Sequence, residues 1–162
     1  MPAAGAERFT IDANVLVYAV DRGAGDRHDI ARQIIDRAMA CDCRLGLQAV
    51  SEFFTVAARK RLMPRPDAAD QARDWLAMFP SFAATKSTVR AALEAATAGR
   101  ASYWDSLLIA TAAEAGCTAI ISEDLADGST LFGVRIVNPF APAGLSASAC
   151  ALLGLAPGEG GG

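Results

Sequence analysis

Along the chain, short apolar runs alternate with longer stretches in which apolar positions recur every three or four residues. That is the pattern of strands interleaved with amphipathic helices. Residues 8–12 (Arg-Phe-Thr-Ile-Asp) form a β-type run that stops at Asp12, and the apolar stretch Asn14–Val20 begins a helix. Ile30, Ile34, Ile35 and Ala38 share one helical face within Asp26–Ala40, with Asp26 expected as its cap. Arg44–Leu47 is short enough for a strand, and Ala49–Leu62 reads as a helix that ends on the basic stretch Arg59-Lys60-Arg61. Pro64 and Pro66 interrupt the chain, and Pro66 suits the first turn of a helix running to Phe79. Phe82–Thr85 reads as a brief strand, and Ser87 as the cap of a helix through Ala98 that Gly99 stops. Ser102 caps a strongly apolar helix, Tyr103–Ala115, closed by Gly116; Cys117–Ser122 and Val134–Val137 are the last β-type runs. From Pro142 onward Ala, Gly, Ser and Pro dominate, which predicts a flexible tail over 141–162 after a domain spanning 8–140.

Buried strands alternating with helices predict an α/β fold with a parallel sheet. In such sheets ligands bind beyond the carboxyl ends of the strands, so the residues that follow strands matter most.

Composition narrows the chemistry. The chain has 162 residues, 52% of them hydrophobic and 20% charged, which fits one well-buried domain and excludes a disordered chain. Fifteen Lys+Arg against eighteen Asp+Glu give a net charge of −3, which argues against a globally basic nucleic-acid binder but leaves room for a local basic rim. No apolar run reaches the roughly 18–20 residues of a membrane span, so a cytoplasmic, membrane-free protein is expected. The four cysteines (Cys41, Cys43, Cys117 and Cys150) are too few and too unevenly spaced for a disulfide framework and read as small buried hydrophobes. The lone histidine, His28, reads as a surface residue, and having only one removes paired-His and His-rich zinc chemistry.

What stands out is a set of acids without partners. Asp12 is the only charged residue between Phe9 and Val20, and Glu52 the only one between Leu45 and Ala58. Only Asp105 and Glu114 carry charge between Ala101 and Ser122, and Asp124 follows the Ile120-Ile121 strand with Glu123 beside it. Desolvating an unpaired carboxylate costs several kcal/mol, so such acids should be paired, protonated or bound to a cation. Asp12 and Asp124 belong at carboxyl ends of parallel strands, and Glu52 and Asp105 in first turns of neighbouring helices, so the four can converge on one sheet edge. Oxygen donors without His or Cys select Mg²⁺ or Mn²⁺. Each acid also has a plainer reading. Asp105 completes a Ser-x-x-Asp cap, Glu52 complements a helix dipole with Ser51 as an alternative cap, Asp124 and Asp127 suit a turn before Gly128, and Asp12 caps the next helix with support from Asn14.

The segments Ile11-Asp12-Ala13-Asn14-Val15-Leu16, Ser51-Glu52-Phe53, Tyr103–Ala110 and Ile121-Ser122-Glu123-Asp124-Leu125, with the ending Gly133–Phe140, resemble the PIN-domain ribonucleases, especially the VapC-type bacterial toxins. The resemblance covers residues 8–140 and implies a three-layer fold with helices on both faces of a parallel sheet. It implies that Asp12, Glu52, Asp105 and Asp124 form an acidic Mg²⁺ or Mn²⁺ site, with Asn14 and Ser122 at supporting polar positions. Ala13 departs from the family, where a hydroxyl residue is common. Glu123 has no assigned role and is expected to point to solvent.

The expected activity is metal-assisted hydrolysis of RNA phosphodiesters, with Asp105 the first residue to substitute. The resemblance also implies a cognate antitoxin that blocks the site and a homodimer. Arg59, Lys60, Arg61 and Arg65 read as a solvated helix end, with phosphate contact as the alternative. Trp104 reads as a core residue, with base stacking as the alternative. Two other functions compete. A haloacid-dehalogenase-like phosphohydrolase would use Asp12 as nucleophile, but it lacks a second acid at Asn14 and has only Lys86 as a candidate lysine. A non-catalytic PIN-like RNA-binding regulator would keep the fold without the metal.

Overall fold

The structure is a computed structural model and describes residues 6–156. The chain opens with β1 (Phe9–Ile11), and Asp12 then starts helix α1 (Ala13–Tyr18) by accepting the Ala13 N–H. A single 3₁₀ turn, Arg22–Ala24, leads into α2 (Asp26–Ala38), whose Ile30, Ala31, Ile34, Ile35 and Ala38 are buried at helical spacing. β2 (Leu45–Gly46) runs directly into α3 (Leu47–Arg59), and α4 (Arg65–Met78) follows with Pro66 in its first turn. β3 (Ser81–Phe82), α5 (Lys86–Thr97) and α6 (Tyr103–Glu114) come next, then β4 (Ala119–Ile121), β5 (Thr130–Leu131) and β6 (Val134–Val137). The described chain ends with the short strands β7 (Phe140–Ala141) and β8 (Gly144–Leu145) and helix α7 (Ala147–Leu153).

The central sheet has the order β1-β4-β6-β5, parallel except for the antiparallel edge strand β5. All residues of β1 and β4 are buried, as in parallel sheets covered on both faces. The parallel pair β2–β3 abuts β1 through a bridge between Phe9 and Cys43. Helices α1, α2, α3, α4 and α7 pack in one connected series, while α5 pairs with α6, which touches β2, β5 and β6. This is the mixed α/β architecture with a mostly parallel, helix-flanked sheet that the alternation of runs predicts.

Register matters most for the site. Ile11 lies opposite Ile121, and Ile121 opposite Val137, so β1, β4 and β6 end at one level. The Asp12 N–H donates to the Ile121 carbonyl at 2.9 Å and the Ser122 N–H to the Val137 carbonyl at 3.0 Å. The pairing therefore fixes the residues just beyond β1 and β4 side by side.

Several local expectations change. The α2 cap is Gly25, at φ 63°, and Asp26 is the first helical residue, where its charge still suits the N-terminus. Thr85 caps α5 in place of Ser87; Thr85 and Thr88 exchange side-chain bonds to each other's backbone N–H. α3 starts at Leu47, because the chain turns from strand to helix without a loop, and this places Glu52 in the second turn instead of the first. Ser51 then cannot cap; it donates to the Leu47 carbonyl inside the helix.

The tail prediction is corrected over 141–156. Ser146 caps α7, whose Ala149, Cys150 and Leu153 are buried, and α7 packs on α2. Small Ala and Cys side chains allow close helix approach where a sequence window sees only low-complexity composition. Arg37 from α2 donates to the Leu153 carbonyl at 2.9 Å, closing the C-terminus of α7. Residues 157–162 of the expected tail lie outside the described residues. The cysteines are free, and three of them (Cys43, Cys117 and Cys150) are buried. Among the described residues no helix is long and apolar enough to cross a membrane.

Candidate active site

Asp12 occupies the end of β1 and does two jobs at once. One carboxylate oxygen caps α1, accepting the Ala13 N–H at 2.7 Å, and the other accepts the Ser122 hydroxyl at 2.7 Å. Ser122 is fully buried at the end of β4, and its Oγ also accepts the Asp124 N–H at 3.3 Å. One hydroxyl thus links two acids through the first turn after the strand.

Asp105 is the third residue of α6, where its N–H donates to Ser102 Oγ at 3.2 Å. The cap is real, and it leaves the Asp105 carboxylate available. Glu52, one turn into α3, accepts from Gln48 Nε2 at 3.2 Å across i,i+4.

Asp12, Glu52, Asp105 and Asp124 line one cavity of about 670 Å³, with Asn14 among them. The four acids expected from sequence thus share a pocket at the carboxyl edge of the sheet, in the place where open α/β folds bind ligands. Ser122 stands behind that wall, where it positions Asp12. The same cavity is also lined by Arg59, Lys60 and Trp104.

The electrostatics are those of uncompensated negative charge. Asp12 is only 5% exposed, and among the described residues no ion pair includes any of the four acids. Burial pushes the Asp12 carboxyl from 3.8 up to about 6, against the lowering effect of its bonds to Ser122 and Ala13; the charges of Asp124 and Asp105 add to the rise. Both polar atoms of the Asn14 amide are buried without a hydrogen-bond partner. Buried amide groups ordinarily find partners, so this one points to something polar in the cavity.

Two residues differ from the sequence reading. Trp104 is not in the core: it is 62% exposed beside Asp105, because the buried stretch of α6 begins only at Ser106. Glu123 does not face solvent freely. It accepts from the Tyr18 hydroxyl and from Arg27 Nε at 3.1 Å, and the Arg27 guanidinium lies 4.9 Å from the Phe140 ring centroid. Tyr18 and Gln48, which the sequence reading missed, both line the cavity. Gln48 carries a signal in its i,i+4 spacing from Glu52; Tyr18 carries none.

Among the described residues no three His, Cys, Asp or Glu side chains stand close enough together to hold one metal ion unaided. The donor set nevertheless fits a hard cation. It is all oxygen, it carries unpaired buried charge, and Mg²⁺ typically takes one or two carboxylates and fills its remaining positions with water.

A family model described as PIN domain matches residues 9–126, a stretch that holds all four acids, Asn14 and Ser122. The chain belongs to the PIN domain family. The haloacid-dehalogenase alternative finds no counterpart in these matches. No curated protein matches by sequence. Among solved structures the PIN fold recurs in VapC20 of Mycobacterium tuberculosis, a toxin that cleaves the sarcin-ricin loop, with TM-score 0.58 and 16% identity over 72% of this chain and 89% of that one. A toxin–antitoxin complex from Klebsiella pneumoniae gives TM-score 0.58 and 20% identity over 81% and 97%. VapBC2 from Rickettsia felis, bound to a fragment of its promoter DNA, gives TM-score 0.59 and 9% identity over 80% and 96%. At these identities the likeness speaks for the fold. The antiparallel hairpin of β7 and β8, and α7 after it, lie beyond the matched 9–126 span of the PIN domain.

Proposed function

We propose that this PIN domain is a Mg²⁺- or Mn²⁺-dependent endoribonuclease and the toxin of a toxin–antitoxin pair. The observation that carries the reading is the shared cavity: acids at the end of β1, on α3, on α6 and in the loop after β4 line it, and among the described residues none of them makes an ion pair. The VapC20 likeness supports RNA as substrate, and the toxin–antitoxin complexes support an antitoxin partner that covers the site.

Asp12, Glu52, Asp105 and Asp124 would supply the donors, one or two of them ligating a cation directly and the others through its bound water. When bound, Mg²⁺ or Mn²⁺ supplies Lewis-acid activation of a water and counter-charge for the phosphate. The residues of the chain do the rest. Ser122 and the Ala13 N–H hold the Asp12 carboxylate in one orientation, so an ion is met by a fixed ligand. A carboxylate of the set not occupied in ligation would accept the proton of the attacking water, and the unpartnered Asn14 amide would support the set as a hydrogen-bonding group. Arg59 and Lys60 attract the polyanion to an otherwise acidic pocket. The proposal extends to a homodimer and a cytoplasmic location, as in the family it resembles.

The test is cleavage-site mapping on total cellular RNA with and without Mn²⁺, using wild type and Asp105→Asn. Discrete cuts that require Mn²⁺ and vanish in the variant support the reading. Wild-type RNA left intact with Mn²⁺ present, or cuts that persist in the variant, overturns it.

A further inference from the structure

The cavity also carries two kinds of group that the metal chemistry does not use. Arg59 and Lys60, at the end of α3, line the same cavity as Asp105, and neither makes an ion pair among the described residues. Trp104, 62% exposed, presents an indole to that cavity. The other tryptophan behaves oppositely: Trp75 is 3% exposed and packs edge-on against Phe53 at 4.6 Å.

Trp104 is exposed but not loose. Tyr103 meets its ring at 5.1 Å and 67°, and Gln48 donates to its carbonyl at 3.0 Å while bonding Glu52 with the same nitrogen. The backbone under the indole is therefore tied to the helix that carries an acid of the site. A large apolar ring held in place and left wet, within a cleft that also offers two free cations, suits a ligand with flat faces and regularly spaced negative charge.

We infer that Trp104 is a stacking platform for an unpaired nucleobase, with Arg59 and Lys60 taking flanking phosphates. This rests on the nuclease reading above and adds the side chains of this cleft that grip a base and its flanking phosphates. The physical reason is simple. A base inside a duplex already has both faces stacked, so only an unpaired base has a face to give to the indole.

The test uses the full chain in EDTA, so that binding is read without cleavage, and a 12-nucleotide RNA either single-stranded or annealed to its complement. Single-stranded RNA quenches tryptophan emission saturably in wild type, since Trp75 is shielded, and the duplex binds more weakly. By anisotropy of labelled RNA, Trp104→Ala weakens binding roughly 5- to 100-fold with an unchanged salt slope, and Trp104→Phe retains most of it. An Arg59→Ala/Lys60→Ala double variant instead flattens the slope of log K against log salt by about 1.4. Trp104→Ala binding as tightly as wild type, or duplex binding as tightly as single strand, overturns the inference. So does an indole already shielded from acrylamide before RNA is added, with self-association in sedimentation, because a second copy then occupies the ring. If Trp104→Ala binds normally and Mn²⁺ still supports RNA cutting, stacking alone is lost. If wild type neither binds RNA nor cuts it with Mn²⁺, the nuclease reading is lost too.

Discussion

Replacing Asp12 by Asn should stabilise the metal-free protein at neutral pH while destroying its proposed activity. Asp12 is 5% exposed and has no cation beside it, so its ionised form is disfavoured in the folded state and its carboxyl sits at about 6 instead of 3.8. Between those values the native state binds the extra proton, so stability falls as pH rises through the window. The contribution is fully retained below about pH 3.8 and lost above about pH 6. A shift of that size is worth about 3 kcal/mol, or roughly 6–12 °C in Tm for a chain of this length. Asn keeps the α1 cap and a partner for Ser122 without the charge. Melting wild type and Asp12→Asn in EDTA from pH 4 to pH 8 subtracts every other titrating group. The variant should match wild type near pH 4 and exceed it by several degrees at pH 7.5. Curves that stay parallel across the whole range would refute the reasoning.

Other outcomes follow from the same geometry. Mn²⁺ added at pH 7.5 should raise the Tm of wild type and leave Asp12→Asn nearly unmoved, because the ion binds the ionised carboxylate and stabilises the folded state by mass action; equal shifts in both would count against Asp12 as a ligand. Ser122→Ala removes the 2.7 Å bond to Asp12 and the acceptor for the Asp124 N–H, and should weaken Mn²⁺ affinity about 10- to 100-fold by calorimetry. Leu153→Ala should cost about 2–5 kcal/mol in urea unfolding, since Leu153, the last residue of α7, is fully buried, whereas a flexible tail would show no loss. Gly46→Ala brings a Cβ within 3.1 Å of Leu108 and Phe82 and should cost about 1–3 kcal/mol, also disturbing Glu52, because Gly46 precedes α3 directly.

That the four acids share a cavity was legible because Asp12, Glu52 and Asp105 are isolated charges in apolar stretches and Asp12 and Asp124 follow strands, and strand register then decides where such residues go. Asp12 and Ser122 meet because β1 and β4 pair in register at Ile11 and Ile121; the alternation of runs predicts a parallel sheet but neither that neighbour order nor that register. The exposure of Trp104 was not legible: the residues of α6 that follow it are buried, and only the three-dimensional limit of the neighbouring elements decides where the cover stops. Glu123 finds Tyr18 and Arg27 across about a hundred residues, a contact with no local signature. The hairpin and α7 escaped because packing through Ala149 and Cys150 relies on small side chains that read as low complexity until α2 is in place.

The central claim is that the cavity lined by four carboxylates from separate elements binds a divalent cation. Mn²⁺ binding followed by electron paramagnetic resonance at pH 7.5 tests it most directly. The account predicts loss of the free-ion signal as wild-type protein is added, and no such loss with an Asp12→Asn/Asp105→Asn double variant that melts cooperatively. A free-ion signal that persists with wild type, or that disappears equally with the variant, would contradict it.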